Sequence, residues 1–136
     1  MMVLVDTPIW SLALRRAHHD LAPVQEQQVR ILQELISEGR VQLLGVVRQE
    51  LLSGIRYREQ FVRLREHLRS FSDVPLDRGD YEQAAEMNNA CRAMGLSGGV
   101  TDFLICAVAV SRKWAIYTAD RDFERYSKCV PLTLYR

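Results

Sequence analysis

Apolar and polar positions alternate along the chain in two rhythms, and the switch between them predicts the elements. Met2 to Val5 is a short unbroken apolar run, the pattern of a strand covered on both faces. From about Pro23 to Ser37, Val24, Ile31, Leu32, Leu35 and Ile36 recur at helical spacing, and Gly39 follows as a stop signal. Val41 to Leu44 reads as a second strand, and Val46 to Ile55 as a short helix with Gly54 near its end. Phe61, Leu64, Leu68 and Phe71 mark an amphipathic helix studded with arginine. Asp73-Val74-Pro75-Leu76 suits a brief edge strand, where proline is tolerated. A helix from about Asp80 to Met94 is expected to bury Tyr81, Ala84, Ala85, Asn88, Cys91 and Met94. After the loop Gly95-Leu96-Ser97-Gly98-Gly99, Thr101 to Arg112 is apolar nearly all round and reads as a core helix. Ala115 to Thr118 is a strand, Asp122 to Tyr126 a helical turn, and Val130 to Leu134 a last strand. Strands alternating with helices imply an α/β domain around a parallel sheet.

The 136 residues suit one compact domain, and a hydrophobic share of 48% suffices for a core without disulfides or structural metal. The longest apolar run, Phe103 to Val110, is far short of the roughly 20 residues needed to span a membrane. The apolar N-terminus is broken at once by Asp6 and lacks a basic segment, so no secretory signal is expected. Cys91, Cys106 and Cys129 form no CxxC pattern, and His18, His19 and His67 have no zinc-like partners. Each cysteine reads as a small buried hydrophobe with a reduced thiol, which suits a cytoplasmic protein. The net charge of +1 leaves nucleic acid open. Sixteen arginines against two lysines favour forked recognition of phosphate or carboxylate, although codon usage produces the same bias.

Four acids fall where this map ends its strands. Asp6 directly follows the first strand, and Asp120 follows the Ala115–Thr118 strand after one residue. Glu50 lies early in the helix after the second strand, and Asp102 opens the apolar helix. Sites in open parallel sheets form beyond the carboxyl ends of the strands. Glu50 comes three and four residues after Val47 and Val46, a placement that predicts partial desolvation. Taken singly, Asp102 also reads as a helix cap, Asp120 as a turn residue and Glu50 as an ordinary helix glutamate. Together, carboxylates in one cleft repel one another and take up protons unless a hard cation offsets them. Magnesium or manganese fits such oxygens and points to hydrolysis of a phosphodiester.

The residues around these acids resemble a known family. Val3-Leu4-Val5-Asp6-Thr7-Pro8-Ile9-Trp10 is similar to the opening of PIN-domain toxins of the VapC type. Arg48-Gln49-Glu50-Leu51-Leu52-Ser53-Gly54 resembles that family's glutamate helix, Thr101-Asp102-Phe103-Leu104 its third acidic motif, and Thr118-Ala119-Asp120-Arg121-Asp122-Phe123 its fourth. The motifs come in the family's order and cover essentially the whole chain. The resemblance implies a three-layer, Rossmann-like α/β domain over residues 1–136, with a central, mostly parallel sheet of about five strands flanked by helices. It implies a metal-dependent endoribonuclease acting as the toxin of a toxin–antitoxin pair. Asp6, Glu50, Asp102 and Asp120 are then the catalytic acids, with Asp6, Asp102 and Asp120 holding Mg or its substitute Mn. Thr7 and Thr118 support them as hydroxyls, and Asp122 either assists Asp120 or caps a turn. A homodimer, an RNA substrate and a cognate antitoxin are the implied partners. The inserted His18-His19-Asp20 departs from the pattern at the expected mouth of the cleft.

Arg48, Arg58, Arg65 and Arg69 are candidates for holding an RNA backbone, against the plainer reading of a solvated helix face or dimer rim. Trp10 and Tyr57 are aromatic enough to stack bases, or else pack in the core. A rival functional class is a catalytically silent PIN-like module that holds a basic partner peptide in its acidic cleft. A phosphotransfer domain with Asp6 as nucleophile ranks lower, because no second aspartate follows two residues later.

Overall fold

The structure, a computed structural model, describes residues 1–15 and 18–136, with His18 described by its backbone alone. Strand β1 (Val3–Val5) lies between β2 (Val41–Gln42) and β3 (Ala115–Tyr117), and both pairings are parallel. The register sets Val3 opposite Val41 and Ala115, and Val5 opposite Tyr117. Val3, Leu4 and Val5 are all fully buried, as a central strand covered on both faces requires. Because all three strands run the same way, their carboxyl ends share one edge, where Asp6 and Thr118 emerge.

The described residues form seven α-helices: α1 (Thr7–Leu14), α2 (Pro23–Ser37), α3 (Gly45–Leu52), α4 (Arg58–Leu68), α5 (Arg78–Ala93), α6 (Val100–Arg112) and α7 (Asp122–Tyr126). Helix α6 buries every residue from Phe103 to Ala109, as its apolar circumference predicts. Helix α5 starts with a reciprocal cap: Asp77 accepts from the Asp80 N–H, and Asp80 accepts from the Asp77 N–H. Asp80 is also the buried anchor of Arg112, at 2.9 and 3.1 Å, and the guanidinium holds its carboxyl below the usual range. The same arginine reaches the Pro75 carbonyl, so α5, α6 and the loop before α5 are tied at one point.

Several expectations change. The sheet has three strands, not about five. The segments expected to flank it do lie alongside, but each makes one parallel bridge, Leu43 to Asp73 and Ile116 to Leu134. Pro75 and Pro131 interrupt these segments, and proline donates no ladder hydrogen bond. Helix α1 was not evident from periodicity; the Asp6 carboxylate caps it and Pro8 starts it. Tyr81 and Met94 are exposed, because α5 buries Asp80, Ala84, Met87 and Cys91 instead. Cys91 and Cys129 are not separate thiols but a disulfide joining the end of α5 to the segment after α7. Cys106 alone is free, and it is buried as expected. No helix among the described residues is long and apolar enough to cross a membrane.

Candidate functional site

Asp6 is built into the site by its place in the sheet. Its N–H donates to the Tyr117 carbonyl of β3, so the residue leaves β1 at a fixed height beside β3. Its side chain is 5% exposed. One carboxylate oxygen, Oδ1, accepts from the Thr7 N–H at 2.8 Å, and Oδ2 accepts from the Thr118 hydroxyl at 2.8 Å. Burial pushes this carboxyl up to about 6. The hydrogen bonds from Thr118 and Thr7 pull it down without cancelling that rise, and the charges of Asp102 and Asp120 add to it.

Thr118 does two jobs at the end of β3. Besides donating to Asp6, its oxygen accepts from the Asp120 N–H at 3.0 Å. The half-buried Asp120 is positioned further through Oδ1, which accepts from the Asp122 N–H at 2.9 Å. Asp122 thus supports Asp120 with its backbone, while its own carboxylate meets Arg125 at 3.4 Å.

Asp102 lies in the first turn of α6, three residues after the cap residue Gly99. Burial raises its pKa, the Tyr126 hydroxyl and the Gly99 backbone lower it, and the charges of Asp120 and Asp122 raise it again. Tyr126 donates to Asp102 Oδ2 at 3.0 Å. One turn after Asp102, the buried Cys106 thiol is pushed up to about 12 by burial and by the charges of Asp102 and Asp6. The charges of Asp102 and Asp120 thus act on Asp6, and those of Asp120 and Asp122 on Asp102.

Glu50 departs from its expected setting. Helix α3 buries Val47 and Leu51, one turn apart, and this stripe leaves Glu50 exposed on the flank. The proposed phosphate contacts also change. Arg48 is structural: it pairs with Asp73 at 2.8 Å and donates to the Leu68 and Phe71 carbonyls. Arg65 and Arg69 both meet Glu66, and Arg58 lies over the Phe61 ring. Trp10 is fully buried and packs edge-on against Phe71 at 5.0 Å, so it serves the core, whereas Tyr57 is 61% exposed.

Two contributors were missed by sequence reasoning. Tyr126 supplies the hydroxyl on Asp102; a tyrosine ending a short buried helix is the available signal, since a buried hydroxyl needs a partner. Gly98 lies directly against that hydroxyl: a Cβ there would collide with the Tyr126 Oη and come 3.0 Å from Phe103 Cε2. Only a residue without a side chain lets the loop pass.

Hard carboxylate oxygens are the donor set, and the hydroxyl of Thr7, the residue after Asp6, is buried without a hydrogen-bond partner. Among the described residues, no three His, Cys, Asp or Glu side chains form a ready-made cage for an ion. Magnesium is usually held by one or two carboxylates and several waters, so this donor set fits it without such a cage.

The sequence profile of the PIN domain matches residues 3–128. No curated protein matches the chain in sequence. Among solved structures, FitAcB from Neisseria gonorrhoeae is similar with a TM-score of 0.77 and 21% identity, over 99% of this chain and 97% of that one. VapBC2 from Rickettsia felis, bound to a DNA fragment from its promoter, gives 0.74 and 18%, over 99% and 98%. A toxin–antitoxin complex from Klebsiella pneumoniae gives 0.66 and 17%, over 89% of each chain.

Proposed function

The chain belongs to the PIN-domain family, and on that premise we propose that it is a metal-dependent endoribonuclease, the toxin half of a toxin–antitoxin pair. The observation that carries this reading is a pair of carboxylates raised first by burial and then by neighbouring acidic charge: Asp6, to about 6, beside Asp102 and Asp120, and Asp102 beside Asp120 and Asp122. Such a cleft is unfavourable empty and favourable around a cation. Asp6 and Asp102 would hold Mg or Mn, Asp120 would hold the ion or its water, and exposed Glu50 would act from the rim. A divalent ion supplies positive charge against phosphate oxygens and lowers the pKa of a water. The chain's own part is to fix these oxygens. Thr118 locks Asp6 to Asp120, Tyr126 orients Asp102, and the Asp122 N–H turns Asp120 into place.

The toxin role draws on the structural neighbours FitAcB, VapBC2 and a toxin–antitoxin complex. A cognate antitoxin, a homodimer and action on cytoplasmic RNA complete the proposal. In a reducing cytoplasm the Cys91–Cys129 pair would stand as two neighbouring thiols.

The test is cleavage of an RNA pool by purified protein with and without Mg, for the wild type and Asp6→Asn. Mg-dependent cutting that disappears in the variant is expected. Cutting by Asp6→Asn at the wild-type rate would refute the proposal. A wild type that cuts no RNA but binds a basic peptide without metal would establish the silent-module reading instead.

A further inference from the structure

Several arginines of this protein are paired with carboxylates. Arg40 meets Glu38, Arg48 meets Asp73, Arg65 and Arg69 meet Glu66, Arg112 meets Asp80, and Arg125 meets Asp122. One open groove of about 650 Å³ is different. It lies between the end of α1, the α3–α4 connection and α4, and Arg15, Arg56, Arg63, His67 and Tyr57 line it. Among the described residues, no acidic side chain lines this groove. Among the described residues, no carboxylate lies within ion-pair distance of Arg15, Arg56 or Arg63. All five named side chains are exposed.

We propose that this groove is an anchoring site for the sugar–phosphate backbone of single-stranded RNA, separate from the acidic cleft. The naming of RNA rests on the ribonuclease reading; the affinity for a polyanion does not. Three uncompensated guanidiniums around one depression suit successive phosphates, and planar forks suit phosphate better than ammonium groups do. Tyr57 offers an open ring, and the Arg56 guanidinium sits 5.9 Å from its centre, so a base and its phosphate meet neighbouring groups. Ile55 and Leu64 supply an apolar floor. An acidic cleft repels a polyanion, so a strand entering it needs its binding energy from elsewhere. Helix α1 runs from Asp6 to this groove and, at about 1.5 Å per residue, spans roughly 12 Å. That separation lets one strand engage both places. The flat exposed tyrosine favours unpaired bases over an acidic peptide as the occupant.

The test is fluorescence anisotropy with a labelled oligouridylate of about 12 nucleotides, within the usual range for single-strand sites. A chelator prevents cleavage, and salt is varied between about 50 and 200 mM. Arg56→Gln/Arg63→Gln is expected to weaken binding at least tenfold at the low-salt end and to reduce the log–log salt slope by about 1.4. Arg56→Lys/Arg63→Lys, which keeps both charges, should retain that slope. Arg92→Gln/Lys128→Gln removes the same charge elsewhere and should change binding far less, and Tyr57→Ala should weaken it at every salt. Thermal melts of each variant verify folding. An unchanged slope in folded Arg56→Gln/Arg63→Gln, or equal losses in the control pair, would overturn the proposal. So would groove variants that lose oligoglutamate binding but keep RNA. If the wild type cuts no RNA while the slope still falls in the groove variant, the ribonuclease reading fails and the groove stands.

Discussion

Replacing Asp6 by asparagine should stabilise the metal-free protein while abolishing its activity. The rise of Asp6 from 3.8 to about 6 means that folding disfavours the ionised form. At about 1.4 kcal/mol per tenfold change, ionised Asp6 costs the fold roughly 3 kcal/mol at neutral pH. The sign follows from linkage: the unfolded chain gives up this proton near 3.8 and the folded one near 6, so stability falls as pH rises through that interval and then levels off. Asparagine carries no charge but also loses an acceptor. Its one carbonyl oxygen can serve the Thr7 N–H, while the Thr118 hydroxyl loses the oxygen it donates to. That loss costs about 1 kcal/mol. The net gain is about 2 kcal/mol, or roughly 8 °C for a chain of this size at about 4 °C per kcal/mol. The assay is a pair of thermal melts with chelator present, at about pH 7.5 and about pH 4. The gain should appear at the higher pH and vanish at the lower, where wild-type Asp6 is already protonated. A variant that melts below the wild type at the higher pH, or a gap equal at both, would refute the reasoning.

Further outcomes follow from the same geometry. Tyr126→Phe removes the donor that lowers the Asp102 pKa, so the acid limb of the cleavage–pH profile should move to higher pH at a stability cost of about 1 kcal/mol; an unmoved limb would contradict this. Gly98→Ala should act on the same hydrogen bond by displacing the Tyr126 hydroxyl, lowering activity with metal bound; wild-type turnover would show that the loop yields freely. Arg112→Ala strands buried Asp80 and should cost about 3 kcal/mol in denaturant melts, unlike substitution of exposed Arg136. Reductant opens a cross-link spanning 38 residues and should lower stability by up to about 4 kcal/mol on the chain-entropy account; melts unaffected by reductant would argue that the pair contributes little.

Much of the fold was legible because burial here is organised by run length. Three fully buried strand residues and the apolar face-to-face helix α6 announce themselves as unbroken hydrophobic stretches. Helix α2 matched its expected span from Pro23 to Ser37, since proline and glycine mark both ends. Helix α1 was hidden because its cap is Asp6, whose carboxylate also belongs to the site. The outer sheet segments were overread because alternation cannot tell one bridge from a ladder. Parallel strand order put Asp6, Glu50 and Asp120 at one edge, but left open whether the helix that carries Asp102 starts there too. Glu50 was misjudged because adjacent valines do not reveal which flank of α3 meets the core; Val47 and Leu51 do. Tyr126, Gly98 and the Cys91–Cys129 bond depend on contacts between remote segments, which no local pattern encodes.

Thr118 has an implication for how much this scaffold can be altered. Its single oxygen ties the carboxylate beyond one strand to the backbone beyond the neighbouring strand, so the separation of those walls derives from the sheet's own repeat of about 4.8 Å. Connectors on the opposite edge then carry no metric information about the cleft. Lengthening the turn before β2, where Arg40 meets the start of β1, should leave the gap between Asp6 and Asp120 untouched, which makes that turn the natural place to graft tags or new recognition loops.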